Sequence, residues 1–198
     1  MHLMPVMWKI AIIDDDASER LVLRGFIEDA GHVVAAEAAD GARAVDICRA
    51  NAPDLMILDV RMPGMDGIEA IREINGVCPT ACILLTASED EATIRRSVEA
   101  GAMAYLVKPV RGAELLAAIE LAVARFNEFK LLRKENNEMK AAIQTRKKVE
   151  KAKGLLMERE GLSENEAFVR IRKISMDKRK GMAEVADVII MALEGGGK

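Results

Sequence analysis

Several acidic residues, one hydroxyl and one ammonium group sit at corresponding places in the chain. Asp14, Asp15 and Asp16 follow the apolar run Lys9–Ile13, and Asp59 follows Leu55–Leu58. Thr86 follows Ala81–Leu85, and Lys108 with Pro109 follows Ala102–Val107. Clustered carboxylates repel one another unless a cation neutralises them, and oxygen ligands of this kind suit Mg2+. A metal, a lysine and a hydroxyl are together what a transferring phosphoryl group requires, because its equatorial oxygens carry the charge. The residues therefore predict phosphoryl chemistry.

That chemistry needs a scaffold that gathers the ends of separate runs. A further short run, His32–Ala36, completes a set of five, each bounded by Asp, Gly or Pro. Between them lie Ser18–Ala30, Ala42–Ala50, Gly67–Ile74 and Glu91–Ala100, with apolar residues at helical spacing. Strands alternating with helices imply right-handed crossovers and a parallel sheet covered on both faces. The expected fold class is α/β, a doubly wound five-stranded parallel sheet, and such sheets bind ligands at the carboxyl ends of their strands.

Beyond residue 112 the pattern changes. No Gly or Pro occurs between Gly112 and Gly154, and Ile119, Ala122, Phe126, Phe129, Leu132, Met139 and Ile143 recur at helical steps. One long helix is predicted, either pairing with a second copy as a parallel coiled coil in which Asn136 sets the register or folding back on its own domain, and the first is the expectation. Two breaks follow, Gly161-Leu162-Ser163 and Lys180-Gly181, and Ser163 with Glu166 forms a capping box. Three helices should close the chain: one ending near Glu160, one from Glu164 to about Met176, and one from Met182 to Leu193.

Charge divides along the same line. Residues 1–125 hold 12 Lys+Arg against 20 Asp+Glu, whereas residues 126–198 hold 17 against 12. Residues 140–180 alone carry 13 against 6, which fits a nucleic-acid partner. The last predicted helix contains Glu184 and Asp187 and no cation, unlike a DNA-reading recognition helix. Positive charge lies instead on the two helices before it and on Lys178–Lys180, a placement suited to a phosphate backbone or hairpin loop. Phe168 is read as core rather than as a base-stacking platform. No apolar stretch is long enough to span a bilayer, so a cytoplasmic protein is expected. Cys48, Cys78 and Cys82 lack a nearby histidine at ligand spacing and are read as buried thiols.

Four motifs resemble a known family. Ile12-Ile-Asp-Asp-Asp16, Ile57-Leu-Asp-Val-Arg-Met-Pro-Gly-Met-Asp-Gly67, Leu84-Leu-Thr-Ala87 and Tyr105-Leu-Val-Lys-Pro109 are similar to the flavodoxin-like receiver of two-component response regulators. The resemblance covers about residues 8–125. It implies that Asp59 accepts the phosphoryl group from a sensor histidine kinase. It implies that Asp14, Asp15, Asp59 and the backbone carbonyl of Arg61 form the Mg2+ site. Thr86 and Lys108 would hold phosphoryl oxygens, and Tyr105 would turn inward when Thr86 moves. Asp16 looks like a helix-start residue. The Asp14–Ser18 segment also fits the DxDx[ST] pattern of haloacid-dehalogenase-type phosphatases, but that family would leave the Asp59 motif unexplained.

The tail has its own resemblance. Thr145-Arg-Lys-Lys-Val-Glu-Lys-Ala-Lys-Gly-Leu-Leu-Met157, Leu162-Ser-Glu-Asn-Glu-Ala-Phe168, Ile171-Arg-Lys-Ile-Ser-Met176 and Val185-Ala-Asp-Val-Ile189 look like the ANTAR domain, an RNA-binding antitermination module. This implies binding of RNA stem-loops in nascent transcripts, by a homodimer. Arg146, Lys153 and Arg172 match the family's basic positions, and Lys147, Lys178 and Arg179 join them as expected RNA contacts. Ser175 stands where alanine is usual, and Arg179 where asparagine is typical. The expected organisation is a receiver at 6–125, a helical coiled-coil linker at 126–143 and a small all-α RNA-binding domain of three helices at 144–195. A DNA-binding response regulator is the alternative. A protein-interaction tail is a third reading.

Overall fold

The computed structural model of the protein describes residues 6–88 and 90–195. Five strands, β1 (Lys9–Ile13), β2 (Val33–Ala38), β3 (Leu55–Asp59), β4 (Ala81–Thr86) and β5 (Ala104–Val107), form one parallel sheet. Its order is β2-β1-β3-β4-β5, so the chain reverses direction of travel across the sheet between β1 and β3. Four helices connect the strands: α1 (Ala17–Asp29), α2 (Ala44–Asn51), α3 (Gly67–Val77) and α4 (Glu91–Ala100). Then come α5 (Gly112–Glu160), α6 (Glu164–Lys178) and α7 (Met182–Gly195).

Because side chains alternate across a strand, each strand serves two cores. Ala11, Ile13, Met56, Leu58, Cys82 and Leu84 pack with α2 and α3 residues such as Ile47 and Ile71. On the opposite face Ile10, Ile12, Leu55, Ile57, Ile83 and Leu85 meet Leu23 and Ile27 of α1, and Leu115, Ile119 and Ala122 of α5. Cys48 and Cys82 are buried, and Cys78 is half-buried. Burial and the neighbouring Cys48 push the Cys78 thiol up to about 11.

The chain divides into two compact units, one ending at Lys130 and the other starting at Leu131. The second has its own core, built from Val149, Ala152 and Leu156 of α5, Ala167 and Ile171 of α6, and Val185 and Ala186 of α7. Ser163 and Glu166 cap α6 reciprocally, as the sequence predicted. At the other end of α6, Arg179 adopts φ 53°, the left-handed conformation that asparagine tolerates better than most residues. The usual asparagine at this position thus has a backbone reason. Ser175 completes the cap, its Oγ donating to the Lys180 carbonyl at 2.6 Å. Ala152 is fully buried, whereas a Cβ added to Gly154 would meet nothing within 4 Å, so only the first is small because of packing.

Candidate functional site

The register of the sheet brings the predicted groups to one edge. Ile13 pairs with Leu58, which sets Asp14 beside Asp59, and Asp59 in turn pairs with Leu85, the neighbour of Thr86. Val107 pairs with Thr86, so Lys108 emerges next to it. Asp14 and Asp59 are buried and Asp15 is exposed, yet one carboxylate oxygen from each lies within 4.8 Å of the others. The donor set is all oxygen and suits a hard divalent cation such as Mg2+.

Lys108 provides the positive charge among these carboxylates. Its Nζ donates to Asp14 Oδ2 at 2.9 Å and lies 3.0 Å from Asp59 Oδ1. It also pairs closely with Glu19, a residue that the motifs did not single out. Glu19 lies in the first turn of α1, shortly after Asp14–Asp16, and that closeness in the chain was the available signal. Burial raises the Asp59 carboxyl above the usual range, opposed by the lysine. The three carboxylates hold Lys108 protonated, overcoming its own desolvation.

Asp16 is separate from this cluster. Its side chain accepts from Ser18 N and Glu19 N, capping α1, as its position predicted. Under Asp59 the backbone is fixed by Gly67, where an added Cβ would come 2.1 Å from the Asp59 carbonyl oxygen. The start of α3 can therefore reach the strand end only with glycine there. Thr86 is buried, its hydroxyl donating to the Ser88 carbonyl at 2.9 Å and accepting from Ser88 N at 3.2 Å. Tyr105 is 41 % exposed and lines a cavity with Ser97, Val98 and Arg125. Arg61 is exposed on the loop after β3.

Comparison with known proteins shows the family of the chain. The model of the response regulator receiver domain matches residues 10–120, and that of the ANTAR domain matches residues 137–190. The chain belongs to the response regulators. The transcriptional regulatory protein PdtaR of Mycobacterium tuberculosis is 40 % identical over 185 residues, covering 93 % of this chain and 90 % of that protein. The chemotaxis protein CheY of Thermotoga maritima is 36 % identical over 112 residues, 56 % of this chain and 93 % of CheY. A solved LuxR-family two-component response regulator from Aurantimonas superposes with a TM-score of 0.58 at 35 % identity, covering 60 % of this chain and 86 % of that one. A response regulator is a regulatory rather than a catalytic kind of protein. No helix among the described residues is long and apolar enough to cross a membrane.

In the ANTAR unit the basic residues fall into two sets. Lys148 pairs with Asp187 at 2.5 Å and Lys151 with Glu194 at 2.7 Å, tying α5 to α7. Lys153 pairs with Glu164 at 2.7 Å and Arg170 pairs closely with Glu160, tying α5 to α6, while Lys153 also pairs with Glu150 of its own helix at 3.0 Å. Among the described residues no ion pair engages Arg146, Lys147, Arg172, Lys173, Lys178 or Arg179. Lys153, expected to face RNA, is only 7 % exposed and already held by two carboxylates. Phe168, expected in the core, is 39 % exposed and stands outside the apolar cluster that Ala167 and Ile171 help to fill. The helical period explains that second difference: Ala167 and Ile171 are one turn apart, and Phe168 lies about 100° away from Ala167.

Proposed function

We propose that Asp59 is the phosphoacceptor, taking its phosphoryl group from the phosphohistidine of a sensor kinase. A carboxylate oxygen of Asp59 attacks phosphorus, the phosphorus–nitrogen bond breaks, and the imidazole leaves with that electron pair. Asp14, Asp15, Asp59 and the Arg61 carbonyl would hold Mg2+, which when bound offsets negative charge on the phosphoryl oxygens. Lys108 sits where it can pair with a phosphoryl oxygen while staying tied to Asp14. Thr86 would leave Ser88 to donate its hydroxyl to another oxygen, and Tyr105 would fill the space that Thr86 vacates. The observation carrying this reading is the convergence of three carboxylates and one lysine at the carboxyl ends of three strands, β1, β3 and β5.

The output in this reading is RNA. The ANTAR unit would bind stem-loops in nascent transcripts and thereby prevent termination, with residues 126–143 pairing two copies as a coiled coil. Support comes from the uncommitted cations of the tail and from the exposed Leu132, Met139 and Ile143 on α5. The absence of cations on α7 argues against the DNA-reading alternative.

The test has two parts. Incubation with acetyl phosphate and Mg2+ should label the native protein but not Asp59→Ala; full labelling of the variant would rule Asp59 out. Binding to a loop-containing RNA hairpin should exceed binding to duplex DNA of equal charge, and equal binding would favour the DNA reading. Sedimentation with and without acetyl phosphate should show pairing strengthened by phosphorylation.

A further inference from the structure

The geometry points to the outer face of α6 as the surface that reads RNA, with Phe168 as a stacking platform for an unpaired loop base. This rests on the RNA reading above and specifies which side of the unit does the reading. Phe168, Arg172 and Met176 succeed one another at steps of four residues, which align on one side of a helix, and Arg179 caps α6 just beyond them. Met176 is 69 % exposed, and Val169 beside this row is 54 % exposed. Core packing accounts for neither of them, nor for Phe168.

Charge selects the occupant. The cations that tie α5 to α6 and α7 lie elsewhere, and those left without an ion pair include Arg172, Lys173 and Arg179 on or beside this row. Acidic side chains at the start of α6 are already engaged, Glu164 by Lys153 and Glu166 by Ser163, which lower both carboxyls. The face thus presents apolar area flanked by Arg172, Lys173 and Arg179, whose positive charge exceeds the negative charge of the neighbouring exposed Asp177. A duplex hides the flat surfaces of its bases, whereas a loop exposes them beside phosphates, and an aromatic ring with arginines beside it fits that combination. Lys153 is a positioning residue, holding the α5–α6 corner rather than touching RNA.

The experiment uses the full chain, treated with acetyl phosphate and Mg2+, and RNA hairpins with a randomised unpaired loop beside the same stem closed as a blunt duplex. Native protein should prefer the hairpins. Phe168→Ala should reduce hairpin affinity roughly ten- to a hundred-fold, to the duplex level, and Phe168→Tyr should restore it. Arg172→Glu, at an exposed position, should do the same as Phe168→Ala without altering the thermal melt. Lys147→Ala should weaken hairpin and duplex equally and lower the salt slope by about one. Native hairpin preference that survives both Phe168→Ala and Arg172→Glu would overturn the α6 assignment while leaving the RNA reading intact. Failure of the native protein to bind any hairpin would overturn both. A polyglutamate peptide that binds with the same dependence on Phe168 would overturn the assignment in favour of an acidic protein partner.

Discussion

The two units of this response regulator use lysine in opposite ways. Lys108 is gathered with Asp14, Asp59 and Glu19 at a sheet edge, where unlike elements deliver charge to one point. Lys153 also meets two carboxylates, but Glu150 is on its own helix and Glu164 joins the end of that helix to the start of the next. The first lysine stands where reacting oxygens would come, and the second stands where a corner must be held. Similar contacts therefore carry different consequences, and only position distinguishes them.

The largest expected effect tests the first half of that contrast. Lys108→Met should slow labelling of Asp59 by acetyl phosphate about a hundred-fold, since a single preorganised donor is typically worth that much. The check is the initial rate of phosphoprotein formation at fixed Mg2+. A rate within twofold of native would mean that Lys108 only neutralises its neighbours.

The next effect tests the second half. Lys153→Met should lower the melting temperature of the ANTAR unit by a few degrees and leave RNA affinity, measured well below the melt, within twofold. Arg172→Ala should do the reverse. If Lys153→Met abolishes RNA binding in a protein that still melts normally, the division between structural and contacting cations fails.

How much of this could be read from the sequence follows from the same contrast. Strand-end residues are legible because a parallel sheet has one active edge, so Asp14, Asp59, Thr86 and Lys108 could be placed together from the apolar runs alone. Boundaries moved where turn chemistry intervened. The expected strand Ala102–Val107 begins at Ala104, because Gly101 in the left-handed conformation and the two residues after it form the turn from α4. The expected helix Ala42–Ala50 opens instead with a 3-10 turn, Gly41–Arg43, capped by Asp40. In the tail, charge counts could show that cations were in excess but not which ones. The Lys153–Glu164 pair joins residues on different helices, and composition carries no trace of it. Phe168 was misplaced because one apolar residue beside the buried stripe fits a helical pattern either way.

Gly154 offers a smaller test. It sits within α5, exposed, with open space where a side chain would go. Gly154→Ala should therefore stabilise the ANTAR unit by up to about 1 kcal/mol through helix propensity alone. Chemical denaturation would show the gain, and a loss of stability would mean that packing demands the glycine after all.

The smallest effect is a pH dependence in the receiver. Burial raises the Asp59 carboxyl above its ordinary value, so the folded state holds that proton more tightly than the unfolded state does. Above the folded value the buried carboxylate opposes folding. Below the unfolded value Asp59 is protonated in both states and that cost is gone. Asp59→Asn, which removes the charge and keeps the shape, should therefore be the more stable protein at neutral pH without Mg2+. Its advantage should shrink as pH falls through the folded value of Asp59 toward the ordinary aspartate range. Taking the difference between native and variant cancels the capping carboxylates, since Asp16 and Asp90 are lowered in both and lose stability in acid equally. Denaturation curves at a series of pH values give that difference directly. An advantage that grows in acid would mean that Lys108 outweighs burial at Asp59, making the pocket a stabilising ion cluster instead of a strained one that awaits a cation.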